Sequence, residues 1–585
     1  MRLEAHLEQL VAQVVLDLLP AEEHGNQVRA LVRPTQNQEH GDYQVNGMIP
    51  LAKRLRRPPL EMAAPVAEAL RERPEFLSAE VAGPGFINLR LDAAWMARLL
   101  NEDLGDPRLG VPEVETPKSI VVDYSSPNIA KQMHVGHIRS TVIGDSVSRT
   151  LRFVGHRVTR DNHLGDWGTQ FGLLLVGMRA FGDETALAKN AIVELERVYR
   201  LASARAKEDD TFAAAAREEL AKLQAGDSDN LALWKRFVAT TREVLEEMYA
   251  RLDVEFDIWL GESTYNSMLG DVVALLIDRG LAREDDGAVG IFWNEVDAPK
   301  SLRNQKEPFL VRKRDGAYLY ATSDIATALH RQDQLQAEES IYVVDSRQTL
   351  HFRQLFAVAE LLGVRTKMEH VSFGTVLDEH GQPLRTRDGQ TVTLGSVLDE
   401  AERRAEERIR AGVAEGKIQL EPEAIVETAR TIGIGAVKYA DLRQNRTSDY
   451  RFDWDKLISF SGDAGPYVQY AYARTRSILQ KGNRTEEEAS EGTIDLAHEA
   501  ELALGRILLI FGDTVHKAAE TRQPHLLCQH AYELATQISR FLTQCRVLQP
   551  GHTESERARF ALLSLAGRQL RCALNLLGIH VVERM

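Results

Sequence analysis

The sequence predicts a multidomain α/β protein. A Rossmann-type parallel-sheet domain with a helical insertion follows a small N-terminal α+β domain and precedes an all-α C-terminal helix bundle. Three observations predict it. The chain has 585 residues, and domains of roughly 150 residues suggest about four units. From Ser119 an apolar run (SIVVDY), a polar loop (SSPN), a helical stretch from about His134 to Val154 and a second strand-like run (HRVTRDNH) follow one another. Strand, turn, helix and strand in that order form a βαβ unit, the building block of a parallel sheet covered by helices. From about Leu398 to Met585 the apolar residues recur at helical spacing, the pattern of a bundle.

Taken in order, residues 1–112 contain helical patterns at Leu3–Leu19 and Leu51–Leu70 and a strand-like run in GPGFINLRL, and form the first domain. The sheet domain spans 113–400. It is interrupted at about 185–290 by long-helical, charge-dense sequence such as ARAKEDDTFAAAAREELAKLQ, read as a solvated insertion. Strand-like runs return in GAVGIFW, KEPFLVRKRDGAYLYAT and ESIYVVD, followed by a helix at His351–Leu362. Residues 401–455 read as a connecting helical region and 456–585 as the bundle, with a polar break at Gly482–Gly492.

Composition is that of a folded globular protein, with 44% hydrophobic and 27% charged residues, which excludes collagen-like, coiled-coil-only and wholly disordered chains. The net charge is −15, so a nucleic-acid partner would have to be met by local basic patches. Cys528, Cys545 and Cys572 form no CxxC pair and are expected to be reduced thiols of a cytoplasmic protein. MRLEAHLEQLVAQVVLDLLP reads as an amphipathic helix instead of a signal peptide. No apolar run approaches the length of a transmembrane helix, about 18 residues, so no membrane partner is expected.

The most informative stretch is VVDYSSPNIAKQMHVGHIRSTVIGD, residues 121–145. His134, Gly136 and His137 fall where a helix starts, and a helix N-terminus offers unpaired N–H groups and a positive dipole end to phosphate oxygens. The two histidines share the first turn and can donate to one polyphosphate. Gly136, lacking a Cβ, leaves the backbone open to an adenine or ribose. Taken alone, HxxH fits a zinc pair or two capping histidines as well, although no cysteine or third histidine clusters nearby to complete a zinc site. Lys131 adds a cation three residues earlier.

HVGH at 134–137 resembles the HIGH motif of class I aminoacyl-tRNA synthetases, and SSPNIAKQMHVGHIRS is similar to the arginyl-tRNA synthetases in particular. GDWGTQFG, GDYQVNG, GPGFINLRL and the ending VVERM extend the resemblance over essentially the whole chain. The resemblance implies an ATP-dependent arginine–tRNA ligase, forming AMP and pyrophosphate through an arginyl-adenylate and transferring arginine first to the 2′-hydroxyl of tRNA(Arg). It implies that activation usually needs bound tRNA and that the enzyme is a cytoplasmic monomer. Mg²⁺ would arrive with ATP, with no prosthetic group, structural zinc or dedicated metal ligands, and no DNA partner. Two other readings stand beside it. An HxGH-type nucleotidyltransferase would leave the helical third unused, and a catalytically inactive RNA-binding homologue would have no need of the intact Lys131, His134, Gly136 and His137.

An arginine substrate presents a planar cation with five donors, which calls for acceptors around a plane. Asp123, ending the first strand, and Asp324, in YLYATSDIATA, offer carboxylates. Tyr320, four residues before Asp324, shares its face if the segment is helical. By motif position the resemblance implies an arginine pocket of Asp123, Ser125, Asn128, His134, Tyr320, Asp324 and Gln348, with Asn128 and His134 at the α-amino and carboxylate end. On the residues alone, an ion pair with a nearby Arg or Lys for Asp123, a helix cap for Asp324, a core position for Tyr320 and a surface amide for Gln348 remain open. ATP is expected at Lys131, His134, Gly136, His137 and Thr386.

The second class I motif, KMSKS, is absent. The corresponding segment resembles GTVLDEHGQPLRTRDGQTVTLGSVLDEA, in which Arg385, Thr386 and Arg387 follow a DEHGQP turn. The resemblance implies that Lys131 compensates, and Arg385 and Arg387 are candidate phosphate clamps, since arginine binds two oxygens at once. A hairpin of solvated arginines would suit Gly381, Pro383 and Gly389 equally.

For RNA, Val437–Arg484 holds nine Lys/Arg against five Asp, a local reversal of the net charge. GPYVQYAYARTRSILQK interleaves Tyr467, Tyr470 and Tyr472 with Arg474 and Arg476, a mixture that stacks unpaired bases and holds phosphates. The resemblance makes the bundle an anticodon-binding module, with Met585 near the RNA. The first domain would read the tRNA corner, or D-loop, through Phe86 and Asn88.

Overall fold

The computed structural model describes residues 2–20, 28–35, 37–378, 380–382, 392–416, 418–549 and 553–585. Arg385, Thr386 and Arg387 lie outside the described residues. The chain forms two compact units, one of Met1–Glu113, Ala405–Tyr439 and Ile458–Met585, the other of Val114–Arg404 and Ala440–Leu457. The stretch 401–455 is thus divided between them.

The second unit is built on four parallel strands. β1 (Ser119–Asp123), β2 (Arg157–Asp161), β3 (Glu339–Tyr342) and β4 (Lys367–His370) lie in the order β4-β3-β1-β2. β1 is central and buries Ile120 to Asp123 without alternation, as expected of a parallel strand covered on both faces. The chain leaves β1 for β2 on one side and returns to β3 on the other. The order therefore reverses between β1 and β3, and in open α/β sheets ligands bind at the carboxyl ends of the strands beside such a reversal. Asp123 ends β1, in register with Asp161 of β2 and Tyr342 of β3.

The predicted βαβ unit is present, with α1 (Val135–Phe153) connecting β1 to β2. Gly144 lets Tyr124 pack against α1, because a Cβ there would come within 2.2 Å of the ring. The insertion contains helices Thr169–Phe181, Glu184–Lys189, α2 (Ala191–Glu208), Asp210–Gln224 and α3 (Ser228–Arg251). Asp183, Asn190, Asp209 and Asp227 each cap a helix start with their side chains, which explains why a charge-dense stretch breaks into separate helices there. The helical character expected to about residue 290 stops at Asp278. Arg283–Asp285, Ala288–Ile291 and Phe309–Arg312 form an antiparallel sheet.

YLYAT, expected to be strand, opens helix α4 (Tyr320–Asp333) instead. Gly316 turns the chain at φ +85°, and beyond it the buried Ala321, Ile325 and Ala328 recur at helical spacing. Helices α5 (Thr349–Leu361) and α6 (Leu394–Ala414) follow.

The first unit opens with an antiparallel sheet in the order Val32–Pro34, Tyr43–Val45, Phe86–Leu91, Phe76–Ala82. The helix expected at Leu51–Leu70 is two, Met48–Leu55 and Pro59–Arg71. Arg56 turns left-handed at φ 55°, and Pro58 and Pro59 supply no N–H to continue the first helix. The C-terminal helices include Gly465–Lys481, Glu499–Leu509, Phe511–Thr521, His525–Gln544 and Thr553–Leu576. The polar break holds a short helix, Glu486–Ser490, started by a capping box of Thr485 and Glu488. Cys528 and Cys545 are buried free thiols and Cys572 is half-buried. Among the described residues no helix is long and apolar enough to cross a membrane.

Candidate active site

The start of α1 fixes both histidines. His134 is the N-cap: its Nδ1 accepts the Gly136 N–H at 3.0 Å, while its own N–H donates to Nδ1 of His137 at 3.1 Å. With both Nδ1 atoms accepting, each neutral ring carries its proton on Nε2, an N–H donor left for a ligand. The rings lie 3.9 Å apart. Burial, with the charges of Arg347 and Lys131, lowers the His134 pKa. Burial, the neighbouring His134 and Lys131 push His137 down to about 3. Both are thus neutral donors near pH 7. A Cβ on Gly136 would meet Cε1 and Nδ1 of His134 at 2.8 and 2.9 Å, so the immediate reason for glycine here is the histidine ring.

The loop between β1 and α1 is strained and pinned. Ser125, Ser126 and Ala130 take φ values of 70°, 47° and 63°, left-handed conformations that non-glycine residues hold only when their surroundings impose them. The Ser125 N–H donates to Ser140 Oγ, and its hydroxyl lies between Thr141 Oγ1 at 2.8 Å and the Tyr249 hydroxyl at 2.7 Å. The Ser126 N–H donates to Asn162 Oδ1, and the Ala130 N–H to Thr241 Oγ1. Asn128 is exposed and leans on GDWG, where a Cβ at Gly165 would come within 2.1 Å of its Oδ1.

Ser125 is buried with its hydroxyl engaged by Thr141 and Tyr249, whereas Ser126 is half-buried. Asp123 makes the arginine ion pair that its place at the end of an apolar strand left open. It is 6% exposed; Oδ1 accepts from the Ser126 hydroxyl at 2.9 Å and Oδ2 from Arg331 Nη2 at 2.7 Å. The same Nη2 reaches Asp161 Oδ2 at 2.7 Å. Asp123, Asp161 and His163 have potential ligand atoms within 4.8 Å of one another, but the cation there is Arg331. Burial opposes the charge of Arg331, yet Asp123, Tyr342 and Asp161 outweigh it and raise its pKa. Asp123 therefore ties the crevice floor together instead of facing it with a spare carboxylate.

The spare acceptors lie along α4. Tyr320, the first residue of α4, is 64% exposed, and Asp324 is half-buried one turn later, on the same face as expected. Asp324 Oδ2 meets His351 Nε2 of α5 at 2.5 Å. Glu262, opening the short helix Glu262–Met268, was not anticipated. Burial, together with the charges of Asp324 and Asp166, pushes it up to about 8. Burial and Glu262 in turn raise Tyr320. Asp166 is steadied by the Ser263 N–H and hydroxyl at 2.8 and 2.6 Å. Glu262 thus lies within electrostatic reach of Asp324, Asp166 and Tyr320, and among the described residues none of the three carboxylates is paired with a lysine or arginine. Gln348 is exposed at the end of the turn Ser346–Gln348, beside Arg347, which is paired with Asp345.

The chain re-enters the described residues at Val392, already bonded to this site. The Val135 N–H donates to Val392 O at 3.0 Å, and the Leu394 N–H to Met133 O at 2.8 Å.

Comparison with known proteins agrees along the chain. Residues 2–91 match the arginyl tRNA synthetase N terminal domain, 100–454 the catalytic domain of tRNA synthetases class I (R), and 468–585 the DALR anticodon binding domain. An arginine–tRNA ligase of Edwardsiella ictaluri is 41% identical over 99% of this chain and 100% of its own. The chain belongs to the arginyl-tRNA synthetase family. A Cyanothece arginine–tRNA ligase is 43% identical over 93% of each chain. The arginyl-tRNA synthetases of Plasmodium falciparum and Thermus thermophilus superpose with TM-scores of 0.83 and 0.81, each at 26% identity; the first covers 100% of this chain and 99% of its own, the second 100% of both. The multidomain class I fold read from the sequence is therefore this synthetase fold.

On the synthetase's predicted RNA-facing elements, Phe86 and Asn88 are half-buried and share the outward face of their strand, with Ile87, Leu89 and Leu91 on the core side. Asn88 Oδ1 accepts from Gln44 at 2.8 Å. Tyr467 and Tyr470 are half-buried, the former 5.8 Å from the Tyr532 ring, and Arg474 lies 5.9 Å above the Tyr470 ring. Tyr472 is core, its hydroxyl bound to Glu583, and Arg476 is paired with Glu583 and Glu486. Lys438 is likewise buried, donating to Gly578 O. The local positive excess is therefore partly spent inside the fold. Met585 packs against a cluster around Ile409 and Ile432.

Proposed function

We propose that this chain attaches L-arginine to tRNA(Arg) in protein synthesis, using ATP. The observation that carries the reading is the presence, in one catalytic domain, of neutral Nε2–H donors at the start of α1 and of Asp324 and Glu262, unpaired with Lys or Arg among the described residues, with the exposed Tyr320 one turn before Asp324. Asp324 and Glu262 take the guanidinium by accepting its N–H groups, with Tyr320 flanking its plane. Asn128, Ser126, Gln348 and His134 line the remainder. Asp123 acts through Arg331, and Ser125 by holding the loop.

The arginine carboxylate oxygen attacks the α-phosphorus of ATP; the bond to the bridging oxygen breaks and pyrophosphate leaves. The 2′-hydroxyl of the terminal ribose then attacks the adenylate carbonyl, AMP departs, and the hydroxyl proton is lost. No protein nucleophile is required, so positioning and charge stabilisation carry the chemistry. His134, His137 and Lys131 serve the phosphates, Gly136 permits the close ring packing, and Arg385, Thr386 and Arg387 belong to the segment whose exit is bonded to Met133–Val135. Mg²⁺ enters as the ATP complex. We assign 1–112 to the tRNA corner through Phe86 and Asn88, 113–400 to catalysis, 401–455 to connection, and 456–585 to the anticodon through Tyr467, Tyr470, Arg474 and Met585. We take the enzyme to be a cytoplasmic monomer.

The test is ATP–pyrophosphate exchange with each amino acid, with and without tRNA. Exchange confined to arginine is expected, and dependence on tRNA would match the family resemblance. Absence of arginine-dependent exchange from folded protein with tRNA present would overturn the reading.

A further inference from the structure

Helix α2 of the insertion reaches the phosphate end of the site. The Lys131 ammonium stands over the Tyr199 ring, 5.5 Å from its centroid, within cation–π reach. The next residue, Gln132, donates from Nε2 to Glu196 Oε2 at 2.9 Å, and Glu196 lies one turn before Tyr199 on the same face of α2. Two consecutive residues of the motif loop are therefore held by one helical face. α2 itself is firmly seated. Asn190 caps it, Leu195, Val198 and Ala202 are buried, and a Cβ on Gly177 of the preceding helix Thr169–Phe181 would meet Ala202 at 2.8 Å. Lys131 is close enough to both histidines to depress their protonation, and Tyr199 close enough to Tyr320 to influence its hydroxyl.

We propose that Tyr199 is a positioning residue for Lys131, holding its ammonium beside the His134–His137 pair by the face of its ring. This rests on the reading of Lys131 as the lysine that meets the triphosphate. A ring suits the task better than a carboxylate. It attracts the ammonium without neutralising it, so the full charge remains for the phosphates. In a chain without KMSK, a lysine placed in advance by a rigid helix supplies what a mobile motif would otherwise bring.

The test uses the full-length enzyme with tRNA, arginine and ATP, following kcat and both KM values in pyrophosphate exchange. Tyr199→Phe keeps the ring and should stay within about twofold of wild type. Tyr199→Leu should lower kcat by about three- to thirtyfold, the fold-change equivalent of a cation–π contact, with KM for arginine unchanged. In a Lys131→Met background Tyr199→Leu should add less than about twofold, because the residues act as one unit. Fluorinated phenylalanines at 199, similar in shape with a weaker π face, should lower kcat stepwise and serve if the leucine variant does not fold. Equal loss in the phenylalanine variant, full additivity with Lys131→Met, a flat fluorination series, or a loss carried by KM for arginine overturns the proposal. A wild-type kcat in Lys131→Met alone overturns it by removing the lysine's phosphate role, a failure visible without any change at 199.

Discussion

Replacing Arg331 by methionine tests whether the floor of the crevice is held by charge. Arg331 is fully buried and bridges Asp123 and Asp161, each at 2.7 Å. Methionine fills much of the same volume, so the change removes a cation and leaves little cavity. The two carboxylates, with oxygens within 4.8 Å, would then repel by about 3–4 kcal/mol at an effective dielectric constant of about 20. That agrees with the roughly 3–5 kcal/mol lost when one partner of a buried ion pair is removed. At roughly 2 °C per kcal/mol for a large domain, melting should fall by about 6–10 °C at pH 8. Acid should narrow the gap. Asp161 is already raised by burial, with Asp123 adding to it and Arg331 opposing, so loss of Arg331 raises it further. A carboxyl with a folded pKa above its unfolded one favours the protonated fold, and the variant gains relative stability as pH falls through that pKa. Asp161→Asn placed on Arg331→Met should recover part of the loss. Circular dichroism melts at pH 8 and pH 5 would refute the reasoning if the variant melted within about 2 °C of wild type at pH 8, or if the gap widened in acid.

Three further outcomes are expected. Asp324→Asn should raise KM for arginine by about 10- to 100-fold with a smaller effect on kcat, as loss of a charged hydrogen bond does. Because Glu262 sits at about 8 without a cation, proton and guanidinium compete for it; KM for arginine should fall as pH rises through about 8, and Glu262→Gln should flatten that profile. In the bundle, His530 is buried, with no hydrogen-bond partner for either ring nitrogen among the described residues, and is pushed by burial down to about 4. A depressed histidine favours the neutral fold, so its contribution is complete above pH 6.5 and falls by roughly 2 kcal/mol by pH 5. His530→Leu should remove that portion of the acid sensitivity in thermal melts, and an unchanged pH slope would exclude His530 as its source.

What the sequence made legible was local or periodic. The run SIVVD and the stretch after His134 encode β1 and α1 directly, since burial on both faces and a capped first turn leave marks within a few residues. YLYAT failed because a short apolar run does not distinguish strand from the first turn of a helix, and Gly316 with the downstream alanines decides it. Leu51–Leu70 failed at Pro58–Pro59, where the breaker was visible but outweighed by periodicity on either side. The site divides in the same way. That Tyr320 and Asp324 share a helical face was legible because one turn separates them. For Asp123 an ion pair is one of the readings open at the end of an apolar strand, but its partner, Arg331, is 208 residues away and nothing near either residue announces which arginine it is. Ser125 and Ser126 differ only in which hydroxyl the left-handed backbone turns inward toward Thr141 and Tyr249, a consequence of tertiary packing. Glu262 lies in GESTYNS, which carries no motif; only folding sets its charge against those of Asp324 and Asp166. Carboxylates left without a Lys or Arg partner among the described residues are a property of the assembled fold, and that deficit supports the proposal of a positively charged ligand there.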